Sequence, residues 1–116
     1  MPGKVQVTDE NGTNLSTTVS EIILDGATAT GAGSSVPMRG AHTTFQATSD
    51  ASHTGTSTVD IEVSNDDVSW IVMGTLSVTD ASDSDGLASS AAWKYVRPNC
   101  TAHGDSTNEV TVTMGG

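Results

Sequence analysis

The chain has 116 residues, a formal net charge of −10 and a single cysteine. This length fits one domain, an intrachain disulfide is excluded, and so acidic a surface repels phosphate backbones and anionic lipid, so neither nucleic acid nor a membrane is expected as a partner. Leu, Ile, Val and Phe number 4, 4, 12 and 1, few enough that the fold is expected to be thinly cored and to gain from burial against neighbours.

In chain order, "KVQVT" (4–8) predicts a short strand or an interface arm, and Asn11-Gly12-Thr13 a turn after it. In "LSTTVSEIIL" (15–24), Leu15, Val19, Ile22 and Ile23 have approximate helical spacing, but the β-branched content favours a strand. "DGATATGAGSSVPMRG" (25–40) reads as a long loop with an edge strand near Ser35–Arg39, because Pro37 cannot donate to a central ladder. "AHTTFQATS" (41–49) is a strand around Phe45, and "DASHTG" (50–55) is a turn. In the next segment Val59, Ile61 and Val63 share one face, with Asp60 and Glu62 on the other, before a turn at Asn65-Asp66-Asp67.

Val68, Trp70, Val72, Gly74, Leu76 and Val78 then hold one phase, which predicts a strand burying all of them. Ile71 and Met73 interrupt its polar face and mark either a strand covered on both sides or a contact surface. "DASDSDGLASS" (80–90) reads as a loop. "AAWKYVRPNCTA" (91–102) is a strand with Trp93 and Tyr95 on one face and Val96 and Cys100 on the other, and Pro98 points to an edge or a bulge. After the "HGDSTN" turn, "EVTVTM" (109–114) closes the chain with Val110, Val112 and Met114 in phase. The sum is an all-β, antiparallel β-sandwich of seven or eight strands, jelly-roll-like, in a single domain over residues 1–116.

Reactive constellations are hard to find. Asp80, Asp83, Asp85 and Gly86 resemble a calcium loop in composition, but with Asp83 and Asp85 as the third and fifth ligands, Ala81 and Ala92 fall where carboxylates are needed. His42, His53 and His103 lack metal-ligand spacing and Cys100 has no second thiol, so no metal is expected. No nucleophile elbow, phosphate loop or dinucleotide fingerprint occurs, and neither a cofactor nor enzyme activity is expected. Asn11, Asn14 and Asn99 match a glycosylation sequon, a chance match in a chain rich in Ser and Thr without a signal-peptide core. Arg97, one of four bases, is expected either to brace an internal carboxylate or to anchor one from a partner. The four aromatics Phe45, Trp70, Trp93 and Tyr95 are expected in the core.

The wording "TFQAT", "STVDIEVSNDDVSWIVMGTLSVT", "DGLASSAAWKYVRPNCTA" and "NEVTVTMGG" over residues 40–116 resembles small virion proteins of tailed bacteriophages, above all in DIEVSND, Trp70, Gly74-Thr75, Trp93 and Tyr95-Val96-Arg97. The resemblance implies a head-decoration (cement) protein, a β-sandwich oligomer on the outer surface of the capsid, made in the host cytoplasm and bound to the major capsid protein. A tail or baseplate component of the same virion is the alternative. A homotrimer is expected, because capsid lattices offer three-fold sites. The expected interface residues are Lys4, Val5 and Val7 in an N-terminal arm (1–8), with Arg39 and Arg97 as pairing bases. A second resemblance, to discoidin-like jelly-roll carbohydrate-binding modules, rests on the Val63-Ser64-Asn65-Asp66 turn, Trp70 and the aromatic-x-x-Arg strand, with Asp67 where the turn glycine would stand.

Overall fold

The computed structural model describes residues 20–116 apart from 39, 41 and 106, together with the backbone of 6–8 and 14–16. Its regular elements are all strands: β1 (Gln6–Thr8), β2 (Asn14–Ser16), β3 (Ser20–Ala27), β4 (Gly31–Ala32), β5 (Val36–Pro37), β6 (Thr43–Ser49), β7 (Thr56–Ser64), β8 (Ile71–Thr79), β9 (Ser84–Ser89), β10 (Tyr95–Ala102) and β11 (Val110–Gly115). Val and Thr dominate these segments, and their branched Cβ suits pleated backbone better than helix.

Two antiparallel sheets form the sandwich. One runs β4-β10-β7-β8, with β5 also on β10, and the other runs β3-β11-β6-β9. β4 and β5 both pair with the same side of β10, Ala32 opposite Asn99 and Val36 opposite Val96, so they form one interrupted edge strand. Counted that way, the sandwich has eight strands, apart from the separate β1–β2 pair. Successive strands change sheet at every step except the β7–β8 hairpin and so wrap around the core, which is the course of a jelly roll.

Pro98 explains the interruption. It lies inside β10, and its carbonyl accepts the Gly33 N–H at 2.7 Å on the β4/β5 side. In an antiparallel strand the N–H and C=O of one residue point the same way, so the N–H that proline lacks would have faced the edge strand. The central ladder to β7 is untouched, and the expected bulge lies further on, between Cys100 and Ala102.

The core is built from alternate residues of the two inner faces. Ile23, Phe45, Ala47, Val110, Val112 and Met114 meet Val59, Ile61, Val63, Leu76, Val78, Val96 and Cys100, all buried. Burial pushes the Cys100 thiol pKa up. Trp93 packs against this cluster from the β9–β10 connection. Two segments depart from the sequence expectation. Ser84–Ser89, expected as loop, is the edge strand β9 paired to β6, and it contributes Leu87 to the core. Residues 68–78 do not keep one phase. The register to β7 shifts between Ile61 and Glu62, so that Gly74 pairs with Ile61 and Val72 with Glu62, leaving Met73 as the bulged residue. Gly74 belongs at that site because a Cβ there would sit 2.8 Å from Leu87 Cδ2.

Candidate functional site

The bulge decides what the outer face of the β7–β8 hairpin displays. Leu76 and Val78 point inward, whereas Val72 is carried outward, level with Glu62. Val68, Ile71 and Val72 are 79%, 53% and 53% exposed, three of the four large apolar side chains open to solvent among the described residues. Trp70, expected in the core, lies on this outer face instead. The Arg97 guanidinium sits over its ring, 4.4 Å from the centroid. Arg97 Nε donates to Glu62 Oε1 at 2.6 Å, and Asn99 Nδ2 donates to Glu62 Oε2 at 3.1 Å. Cross-strand pairing puts Arg97, Glu62 and Val72 in one row across β10, β7 and β8. The next row holds Asn99, Asp60 and Thr75, where the Thr75 hydroxyl donates to Asp60 at 2.8 Å. An ion pair stacked on an indole is thus fixed from two strands and the connection before β8, and apolar side chains lie beside it.

The connection that presents Val68 and Trp70 is held by Asp66. Its Oδ1 accepts the N–H groups of Val68 and Ser69 at 2.9 and 2.8 Å, and the Ser64 hydroxyl at 2.8 Å. Ser64 Oγ in turn accepts the N–H groups of Asp66 and Asp67. Asp67 takes the left-handed conformation, φ 61°, which an aspartate tolerates better than most residues. The Ser69 and Val68 amides, with the Ser64 hydroxyl, lower the Asp66 carboxyl to about 2. Asn65 Oδ1 accepts the Lys94 N–H at 3.2 Å and ties the connection to the start of β10. Lys94 and Arg97 are the two Lys or Arg residues among the described ones, and both flank this face; Lys94 Nζ stands 5.5 Å from the Tyr95 ring centroid.

The opposite end of the sandwich is acidic, and its carboxylates are engaged with backbone. Asp105 accepts the N–H groups of Thr54, Thr107 and Asn108, which holds its carboxyl well below the usual range. Asp50 accepts the Glu109 and Ser52 amides, with the same direction of shift. The segment that resembled a calcium loop works in this way too. Asp80 takes the Gly55 N–H at 3.0 Å, Asp83 the Thr79 N–H at 2.8 Å and Asp85 the Ser77 N–H at 3.0 Å. Among the described residues no three His, Cys, Asp or Glu side chains converge on a metal position. His53 Nε2 lies 2.8 Å from Ser57 Oγ, but both are buried and Ser57 Oγ accepts the Gly104 N–H, so the pair braces the β6–β7 connection.

Of the interface residues expected from sequence, Arg97 is in this site. Lys4, Val5 and Arg39 lie outside the described residues, and Val7 is described only by its backbone, paired with Leu15 in the β1–β2 hairpin. Sequence reasoning missed Val68, Trp70 and Val72 as surface residues. The available signals were the apolar Ile71 and Met73 on a polar face and Gly74 inside a strand.

No family model matches the chain, and no curated protein sequence matches it. Solved structures do match. The SPBc2 prophage-derived protein YomS aligns with a TM-score of 0.58 at 12% identity, over 85% of this chain and 91% of that one. The PBSX exported protein XepA aligns with a TM-score of 0.59 at 12% identity, over 97% of this chain and 43% of that one, so the chain spans less than half of the exported protein. At such identities the likeness is one of fold. The same sandwich therefore occurs in a prophage-derived protein of similar extent.

Proposed function

We propose that this protein is a structural component of a bacteriophage particle, specifically a head-decoration (cement) protein that binds the major capsid protein on the outside of the shell and stabilises it. The observation that carries the reading is the outer face of the β7–β8 hairpin. There Val68 and Val72 stand open to water beside a pre-ordered Trp70–Arg97–Glu62 stack, with the exposed Ile71 next to them in the chain, on a strongly acidic protein. Exposed apolar side chains ringed by polar groups are the makings of a protein contact, and an aromatic and an arginine are the residue types that anchor one. The wording of residues 40–116 and the occurrence of the fold in a prophage-derived protein support the phage setting. Binding the folded state to a shell also stabilises a chain with few bulky side chains by mass action.

The test is the number of copies per particle in purified virions, measured by quantitative mass spectrometry, together with rebinding to capsids that lack the protein. A decoration protein is present in numbers comparable to the shell subunits and rebinds, and Val68→Asp weakens the rebinding. A handful of copies per particle assigns the protein to the tail or baseplate and overturns the decoration reading. Trp70 on the outer face also allows a glycan-binding reading. Arg97 already covers part of its ring, so glycan binding that Trp70→Ala abolishes would be needed to prefer it.

A further inference from the structure

A sandwich has four edges, and natural β-proteins blunt them to prevent unwanted strand pairing. Here the β4/β5 edge is two dipeptides long with a proline. β3 is broken by two register shifts to β11 and carries Glu21 and Asp25. β9 is short and lies beside β8. The edge of β8 is protected over half its length by side chains standing in for a strand. Ser77 and Thr79 turn their N–H groups away from β7, and Asp85 and Asp83 accept them. Because the register to β7 is unbroken from Gly74 to Thr79, the Thr75 N–H points out of the same edge. Among the described residues no carboxylate takes it, since Asp60 accepts the Thr75 hydroxyl instead. Among the described residues the β8 edge at Thr75 is therefore open, and the exposed Ile71 and Val72 lie beside it.

The chain also holds strands that lack a sheet. Among the described residues β1 and β2 pair only with each other, three residues against three, and join neither face of the sandwich. A two-stranded hairpin alone is marginally stable in water, and a third strand is what it lacks. We infer that the open half of the β8 edge receives the N-terminal hairpin of a second copy of this chain, so that copies join by strand addition. Length supports the match: the bulge at Met73 bends the edge and so bars a long added strand, while a strand of three residues is short enough to pair on the regular stretch beside it. Charge supports it as well. Two chains of net charge −10 repel, and strand addition joins them through backbone amides and aliphatic side chains instead of through their acidic ends. The contact is one in which each copy gives a hairpin and takes one, so it builds a reciprocal dimer, a ring or an open chain according to the rotation between copies. It holds wherever in a particle the protein resides, and it stands or falls apart from the decoration reading.

Two substitutions in the full-length protein separate the halves of the contact. Val7→Pro removes a β1 amide, either from the hairpin or from the added ladder, and leaves the β8 edge intact. Val72→Lys puts a charge beside the edge at an exposed position and leaves the hairpin intact. Light scattering after size exclusion is expected to show an oligomer for the unaltered chain, a monomer for each variant with unchanged far-ultraviolet circular dichroism, and a 1:1 heterodimer when the variants are mixed. The heterodimer is the decisive result, because one intact hairpin and one intact edge make one joint, and only folded variants can form it. A monomeric unaltered chain, variants that stay oligomeric, or a mixture that stays monomeric each overturns the inference.

Discussion

Removing the charge from Glu62 or Arg97 tests whether the stack on the outer face is a rigid element or a surface ornament. Their side chains are 12% and 28% exposed, and the Nε–Oε1 distance is 2.6 Å. A solvent-exposed ion pair contributes roughly 0.2–1 kcal/mol, whereas a hydrogen bond to a charged group out of water reaches about 1.5–3 kcal/mol. The partial exposure places this pair between those limits, at about 1–2 kcal/mol. Glu62→Gln is expected to cost about that much, because Asn99 still finds an acceptor and the arginine stem still covers Trp70. Arg97→Met costs about 1.5–3 kcal/mol, since the carboxylate is left with a neutral donor alone and the cation over the indole is lost. The double variant should fall short of the sum by about 1–2 kcal/mol. Against a total stability of about 6–17 kcal/mol, from about 0.05–0.15 kcal/mol for each of 116 residues, the shifts are readily measured. Urea unfolding followed by far-ultraviolet circular dichroism is the assay, because tryptophan emission would report the ring's own surroundings as well as folding. A coupling below about 0.3 kcal/mol refutes the claim that β7 and β10 hold a fixed platform under Trp70.

Acid is expected to loosen both ends of the sandwich together. Asp50, Asp66 and Asp105 have carboxyl groups lowered by backbone N–H donors, so their contribution to stability is complete above the ordinary carboxylate range and is lost as pH falls through the folded-state values, about 2 for Asp66. The melting temperature measured between pH 6 and pH 2 should fall steeply below about pH 4, and Asp105→Asn should flatten that fall. Gly104→Ala should abolish folding, because a Cβ there would lie 2.6 Å from Gly55 C and 2.8 Å from Thr56 N, both backbone atoms that cannot give way; a soluble protein with the parent's melting temperature contradicts this. Removing the edge caps with Asp83→Ala and Asp85→Ala should expose the Ser77 and Thr79 amides and raise thioflavin-positive aggregation over days, while Asp25→Ala, at an acid without that role on β8, leaves it unchanged.

Most of the sandwich was legible because most strands are half-buried and alternate. In β7, Val59, Ile61 and Val63 face in and Asp60 and Glu62 face out, as the pattern requires. The same rule failed one strand later for a local reason. Alternation fixes the face only while the register is continuous, and one extra residue at Met73 reverses every side chain before it. Val72 therefore left the core for the surface, Val68 and Trp70 fall outside the strand in the connection that Asp66 holds, and the candidate site arose at the point where the pattern misled. β9 was illegible for a different reason. "SDGLAS" has one large apolar residue, and it becomes a strand because β6 needs a partner on its free side and Leu87 fills the space that Gly74 leaves. Pro98 was read as a mark of an edge or bulge, a sound local rule, and the fold satisfies it by breaking the neighbouring strand. For Arg97 the sequence left two roles open, and the structure has it bracing the internal carboxylate of Glu62.

The acidic residues change what the composition means. Fourteen acids and only 21 Leu, Ile, Val and Phe residues describe a chain short of core and rich in charge, for which burial against neighbours is the natural remedy. Six of those acids, Asp50, Asp66, Asp80, Asp83, Asp85 and Asp105, accept backbone amides in loops or along the β8 edge. Charge-assisted bonds of this kind are shorter and stronger than neutral ones, and they order connections that a larger core would otherwise have to hold in place. The carboxylates thus supply locally part of what the sparse core lacks, and a thin core alone does not require a partner. The proposed partner contact rests instead on a stretch that, among the described residues, they leave uncovered. Among the described residues the edge is bare at Thr75, the aliphatic side chains beside it face water, and the β1–β2 hairpin pairs with no other strand. Carboxylates cap the Ser77 and Thr79 amides, yet among the described residues none caps the Thr75 amide two residues away, although the same device would serve there.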